Sequence, residues 1–439
     1  MFKETSKELL DFLSKSPTAF HAVENYRQIL NADGFKELLE SEHWDIVPGG
    51  KYYVTRNNTS ILAFKVGTKL DNYSFNIVTS HTDSPTFKVK ENAEIEVKNK
   101  YTQLNTEGYG GMLCATWLDR PLSIAGRVLV SEGNSIVTKL LNIDRDLLMI
   151  PNVAIHMNRA ANDGFKYNLQ VDMLPLLSAG DDRQKDFKQI LADELGVKKE
   201  DILGHDLYLY NRMAPSIWGA NEEFISAGHL DDLQCGFASL KALLAGYNDE
   251  SIDIMACFDN EEVGSGTKQG ADSTLLRDTL TRINSALGKT EEDYYRALAS
   301  SFMLSSDNAH AVHPNHPEHT DATNCTYMNE GVVVKSHAGQ KYTSDGVSMA
   351  VVKALASGAD VPLQYFANRS DKAGGSTLGN IAMAQASMNA VDIGLPQLAM
   401  HSSYETAGIK DTYYAISLMK ALFDSHIQET STHSLEIKR

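Results

Sequence analysis

Five stretches of this chain hold side chains that can work on a substrate, and each lies beside an apolar segment. His81-Thr82-Asp83 is the first. On an extended chain, residues two apart point to the same side. A carboxylate there can take a hydrogen bond from an imidazole N–H and leave the other ring nitrogen for a metal. A surface turn with an Asx cap reads the same letters. In Leu230-Asp231-Asp232-Leu233, one acid alone is a helix cap, whereas adjacent acids can bridge a pair of cations. Asp259-Asn260-Glu261-Glu262-Val263-Gly264 puts three acids after a buried-type run, with Gly264 and Gly266 turning the chain. Adjacent side chains diverge, so one Glu can bind metal while the other faces a water as general base. A solvated acidic turn is the competing reading. Ser306-Asp307 precedes His310, His313, His316 and His319, whose spacing mimics a helical face that Pro314 and Pro317 forbid. Those histidines read as loop groups. His401 closes the short apolar run Gln397-Leu398-Ala399-Met400.

Together these stretches offer imidazoles and carboxylates in a set that suits zinc, with manganese or cobalt as alternatives. A carboxylate bridging two ions about 3.5–4 Å apart is the usual core of two-metal hydrolysis.

The elements that must position these groups alternate in kind. Residues 2–30 read as two amphipathic helices broken at Ser16-Pro17-Thr18, with Thr18 able to cap the second. KYYVTR, SILAFKV and SFNIVTS read as strands, the last ending on His81. From about residue 86 the texture becomes β-rich, with one helix near 185–196, and it stays so to about 226. An α/β alternation then resumes through SIDIMACF, SFMLSSD, GVVVKS, PLQYFA and LPQLAMHS. Open α/β sheets present ligands at the carboxyl ends of strands, where His81, Asp83, Glu261, Glu262, Asp307 and His401 all fall. The expectation is an α/β catalytic domain, 1–85 plus 227–439, with a mixed sheet flanked by helices, interrupted by a smaller inserted β-rich domain at 86–226. The closing ETSTHSLEIKR is expected to fray.

Bulk properties narrow the function classes. A length of 439 residues exceeds one small core. The net charge of −17 opposes nucleic-acid binding. No apolar run reaches membrane-spanning length, and the N-terminus lacks signal-peptide character, so a cytoplasmic protein is expected. Cys114, Cys235, Cys257 and Cys325 form no CxxC pair and read as free thiols.

The ordered set SHTDSP, EGYGGMLCATWLDRPLSIAGRV, PNVAIH, HLDDL, DNEEVGS, SSDNAHAVHPN, GVVVKSHAGQKYTS, GGSTLGNIA and LPQLAMHSSYE resembles the M18 family of metallo-aminopeptidases, the aspartyl aminopeptidase group. The similar stretches run through nearly the whole chain. The resemblance implies an aminopeptidase that removes the first residue of short peptides, preferring Asp or Glu there, with two divalent ions per subunit, zinc foremost. It implies that His81 and Asp307 bind one ion, Glu262 and His401 the other, and that Asp231 bridges them. Glu261 would be the general base and Asp83 would orient His81. His156 resembles a histidine that reaches a neighbouring subunit's active site, with metal binding as its alternative, and Lys335 resembles a lysine near the substrate pocket. The family assembles as tetrahedral dodecamers, so a homo-oligomer is expected. Departures are His229 where an arginine is common, Met112 within a glycine run, and Pro121 in place of an acid; they bear on substrate preference, and His229 becomes an extra candidate near the metals. A dimetal phosphoesterase and a non-catalytic shell protein are the competing readings.

Overall fold

The computed structural model describes residues 1–439. Its centre is a 9-stranded mixed sheet, in the order 36–37, 51–56, 60–66, 251–258, 74–81, 302–306, 389–394, 332–335 and 363–366. The four strands Ser251–Phe258, Ser74–His81, Phe302–Ser306 and Asn389–Gly394 run parallel. Ser74–His81 and Ser251–Phe258 are buried along their whole length, as strands covered on both faces must be. Alternation divides their side chains between two cores. Val78, Met255 and Cys257 face one core, covered by helices that include Phe2–Ser14, Leu230–Ala245 and Asp411–Phe423. Phe75, Ile77, Ile254 and Phe258 face the other, covered by Leu275–Ala286, Glu291–Ala299 and Leu378–Gln385.

Register sets the level of the strand ends. Phe258 pairs with His81, and Ser305 pairs with Thr79. Two residues beyond that second pair, His81 and Asp307 leave the sheet at one height. The Asp259–Gly264 turn begins immediately beside them.

A separate 6-stranded antiparallel sheet is made of Ser135–Asn142, Leu122–Glu132, Ile202–Asn211, Thr86–Val97, Tyr101–Tyr109 and Leu176–Ala179. It has its own core, in which Phe87, Trp117, Leu122 and Leu207 pack with helix Phe187–Leu195. A 5-stranded sheet joins Ser216–Trp218, Phe224–Ala227, Glu405–Gly408, Pro396–Leu398 and Ala309–His310. It carries the loop with His401 and leads into the segment with Asp231. No helix is long and apolar enough to cross a membrane.

Three local expectations are corrected. The tail does not fray: His426–Ser431 and Ser434–Lys438 form an antiparallel hairpin. Ile427 is buried in the larger core, with Leu435 and Ile437 packed against it, so the alternating apolar residues of a polar stretch gain enough burial to fix it. Thr18 sits at a helix N-cap without bonding the helix backbone, because its hydroxyl pairs with His21 Nδ1 at 2.8 Å. Asp231 and Asp232 lie at the start of Leu230–Ala245 but have non-helical backbones, so Asp231 is no ordinary cap residue.

Candidate metal centre

Asp231 is the hinge of the site. Its Oδ1 lies 3.4 Å from His81 Nε2 and its Oδ2 lies 3.6 Å from His401 Nε2. The two oxygens of one carboxylate therefore face two different imidazoles. His401 Nε2 also lies 3.3 Å from Glu262 Oε2. Ligand-type atoms converge within 4.8 Å of one another in three overlapping sets: His81, Asp231 and Asp307; Asp231, Glu262 and His401; and His81, Glu261 and Glu262. Adjacent side chains diverge on an extended chain, yet Glu261 and Glu262 both approach His81. The 3-10 turn Glu261–Val263, entered through Asn260 at φ +62°, folds the two carboxylates inward.

Backbone and buried acids hold these groups in place. Asp83 accepts the Glu261 and Glu262 N–H groups at 3.1 and 3.2 Å and the Tyr109 hydroxyl at 2.6 Å. Its Oδ1 lies 3.4 Å from His81 Nδ1, and its carbonyl is 3.0 Å from the same nitrogen. With the Nδ1 proton pointed at Asp83, His81 Nε2 is left as a lone-pair donor toward Asp231 and Asp307. Asp232 accepts the His81 backbone N–H at 3.1 Å. On the other side, His401 Nδ1 donates to the Gly111 carbonyl at 2.7 Å, which frees Nε2 in the same way.

Glu405 was not singled out in the sequence. It is buried, and it accepts the Asp231 N–H at 3.0 Å and the His401 N–H at 2.8 Å. One side chain thus braces both ends of the Asp231–His401 pair. The only signal for it was an acid four residues after His401, on a strand whose other residues are small or polar.

Charge decides what the cluster lacks. Burying one carboxylate costs several kcal/mol unless it is paired, and this cluster has Lys335 as its nearby ammonium, 3.9 Å from Asp307. Burial raises the Glu261 carboxyl to about 7, and neighbouring Asp307, Asp83 and Asp231 reinforce the rise. Burial likewise lifts Asp307 to about 6. Burial alone would lower His401, but Asp231 and Glu262 more than reverse this, carrying it to about 10. His81 is also raised: the Asp231 and Asp83 carboxylates outweigh its burial. Asp231 moves down despite burial, because the two imidazoles hold its charge. Asp231 Oδ1 and Glu262 Oε1 are buried without a hydrogen-bond partner. Carboxylates that hold protons tightly beside orphaned oxygens mark a site short of positive charge. The donor set fits divalent cations bound by nitrogen and oxygen.

The cluster opens on a cavity of about 220 Å³ lined by His310, Lys335, Tyr342, Phe366, Thr377 and Met400, among others. Lys335 is buried, and its ammonium donates to the Asn308 carbonyl at 2.8 Å. His156 is exposed on the irregular segment after residue 150 and does not line this cavity. His229 is half-buried and lines the neighbouring cavity behind Asp83, away from these ligand sets.

A family model described as "Aminopeptidase I zinc metalloprotease (M18)" matches residues 12–423. The chain belongs to the M18 aminopeptidase family. It is a hydrolase that acts at the N-terminal ends of peptides. The M18 chain is 48% identical to "Probable M18 family aminopeptidase 2" of Clostridium novyi (strain NT), over 95% of this chain and 98% of that protein. Among solved structures, a chain of the Ape4 and Nbr1 complex superposes with TM-score 0.92 at 35% identity, covering 96% of this chain and 86% of that one. The S. cerevesiae mApe1 dodecamer aligns with TM-score 0.84 at 28% identity, over 96% of this chain and 97% of that one.

Proposed function

We propose that this M18 aminopeptidase hydrolyses the first peptide bond at a two-ion centre, with zinc the first candidate and manganese or cobalt as alternatives. In this reading His81 and Asp307 hold one ion, Glu262 and His401 the other, and Asp231 lies between them. The observation that carries it is the divided Asp231 carboxylate, each oxygen aimed at a different imidazole. Two such ions polarise the scissile carbonyl and lower the pKa of a water.

The chain's own residues do the rest. Glu261 approaches His81 together with Glu262 but joins neither cluster around Asp231. It takes the proton of the attacking water as oxygen bonds to the carbonyl carbon. It then passes that proton to the departing amine nitrogen as the C–N bond breaks. Asp83 fixes His81 and the Glu261–Glu262 turn together. The free amine of the substrate sits beside Glu262 and His401, which limits cleavage to the first residue. Lys335, which lines the same cavity with its ammonium 3.9 Å from Asp307, meets an acidic first side chain.

In this reading residues 1–85 and 227–439 form the catalytic unit, and 86–226 form a lid and assembly unit. Met149, Val153, Ile155, Met157 and Val171 are exposed on that second unit, a stretch of apolar surface that another copy would cover. His156 lies among them, and in this reading it serves a neighbour's cavity. The tetrahedral dodecamer is the assembly we propose, and a cytoplasmic location accords with the free thiols.

The test is a panel of aminoacyl-anilides assayed with a chelator and with zinc, manganese or cobalt restored, beside phosphoester substrates. Fastest release of Asp or Glu, lost to chelator and regained with metal, supports the reading. Chelator-resistant turnover, or turnover confined to phosphoesters, overturns it.

A further inference from the structure

The histidine loop after Asp307 lies apart from the centre described above. It holds His313, His316 and His319, and Pro317 starts the short 3-10 turn Pro317–His319. The His313 and His316 rings are 5.4 Å apart, and the His316 and His319 rings stack at 5.5 Å with a 26° tilt. Neutral imidazole is the form that binds metal.

Glu318 joins the stacked pair. Its Oε1 lies 3.0 Å from His316 Nδ1 and 3.9 Å from His319 Nε2. The 3.0 Å contact is a hydrogen bond whose proton zinc would displace; ligands about 2.0–2.1 Å from a tetrahedral zinc sit about 3.3 Å from one another, close to the spacing already present. One donor atom from each of the three residues falls within 4.8 Å of the others. His313 does not join them. Its Nδ1 accepts the Asn315 N–H at 3.2 Å, which leaves the proton on the other ring nitrogen.

Nearby positive charge is partly balanced. Arg369 pairs with Asp371 at 2.8 Å and also donates to the Glu318 carbonyl, which fixes the turn. Lys372 lines the same cavity and is the charge that opposes a cation. That cavity, about 250 Å³, shares His310 and Phe366 with the catalytic cavity.

We propose that His316, Glu318 and His319 form a further divalent-cation site, taking zinc or a similar nitrogen-preferring ion, at the approach to the substrate cavity. The remaining position is open to water. The ligands are more than half exposed, so the ion exchanges freely and is held more weakly than those of the buried centre.

The proposal does not depend on how many ions the main centre holds, because the test reads a difference. Tag-free full-length protein is dialysed to equilibrium against zinc, and zinc per chain is measured beside His316→Ala, His319→Ala and the neighbouring control Asn315→Ala. The expected result is one zinc per chain fewer in each histidine variant and none fewer in the control. All three retain aminopeptidase turnover at limiting zinc, which reports an intact fold. Equal zinc content in the wild type and both histidine variants overturns the site. A loss of the same size in Asn315→Ala overturns the ligand assignment. His319→Gln gives a second variant of near-equal size, expected to lose the same single ion.

Discussion

The two halves of the candidate centre are built in different ways. The His81 half sits on the ends of parallel strands in the main sheet, and the His81 side chain is 1% exposed. Its neighbours are fixed by register, by Asp83 and by Asp232. The His401 half sits on a loop whose His401 backbone has φ +66°, and the side chain is 32% exposed. Its ties to the β-rich segment include His401 Nδ1 to the Gly111 carbonyl, Leu113 N–H to the His401 carbonyl, Ser403 to Thr116, and Asn211 to the Ser403 carbonyl. The His81 half also reaches that segment, through the Tyr109 hydroxyl on Asp83, but the His81 imidazole is oriented by its own strand's Asp83, whereas the His401 imidazole is oriented by the distant Gly111 carbonyl. In the two-ion reading, the dry His81 half is expected to release its ion more slowly than the more exposed His401 half.

The largest effect should come from the residue both halves share. Asp231→Ala should lose both ions by metal analysis and bring turnover to background. Retention of either ion at full occupancy would show the halves to be independent. Next is Glu261→Gln, expected to keep metal content and melting temperature while turnover falls by roughly 10²–10⁴-fold. Near-normal turnover would remove Glu261 from the base role.

The asymmetry itself is tested by timed chelation. Metal should leave in two phases, the fast one abolished in His401→Ala and the slow one in His81→Ala. A single phase in the wild type would erase the distinction. Glu405→Gln comes fourth, because that acid touches only backbone N–H groups of the centre. The expected loss is about 10–100-fold in ion affinity, larger for the fast-leaving ion. The smallest effect is on selectivity: Lys335→Ala should slow acidic first residues more than neutral ones, read as kcat/KM. Equal slowing would assign Lys335 to holding Asp307 and the Asn308 carbonyl instead.

The sequence carried much of this design because its parts are local. Strands 74–81 and 251–258 are apolar runs ending in chemistry-bearing residues, so both the element and the site at its end were readable. Glu405 was not, because its role exists only once the 396–398 and 405–408 strands pair and turn its carboxylate under two backbone segments. The closing hairpin was missed for a related reason: its apolar residues are few, and their burial comes from a core assembled by distant helices.

Taken alone, the sequence determined which donors exist and that strand ends would present them, since hydrophobic period and turn chemistry act between neighbours along the chain. Only the tertiary structure decided that the two oxygens of Asp231 face opposite imidazoles, that Glu261 and Glu262 fold inward together, and that His401 is shared with the β-rich unit. Those are matters of angle and distance between segments far apart in the chain, and they are fixed by sheet register and packing, which residue spacing does not encode.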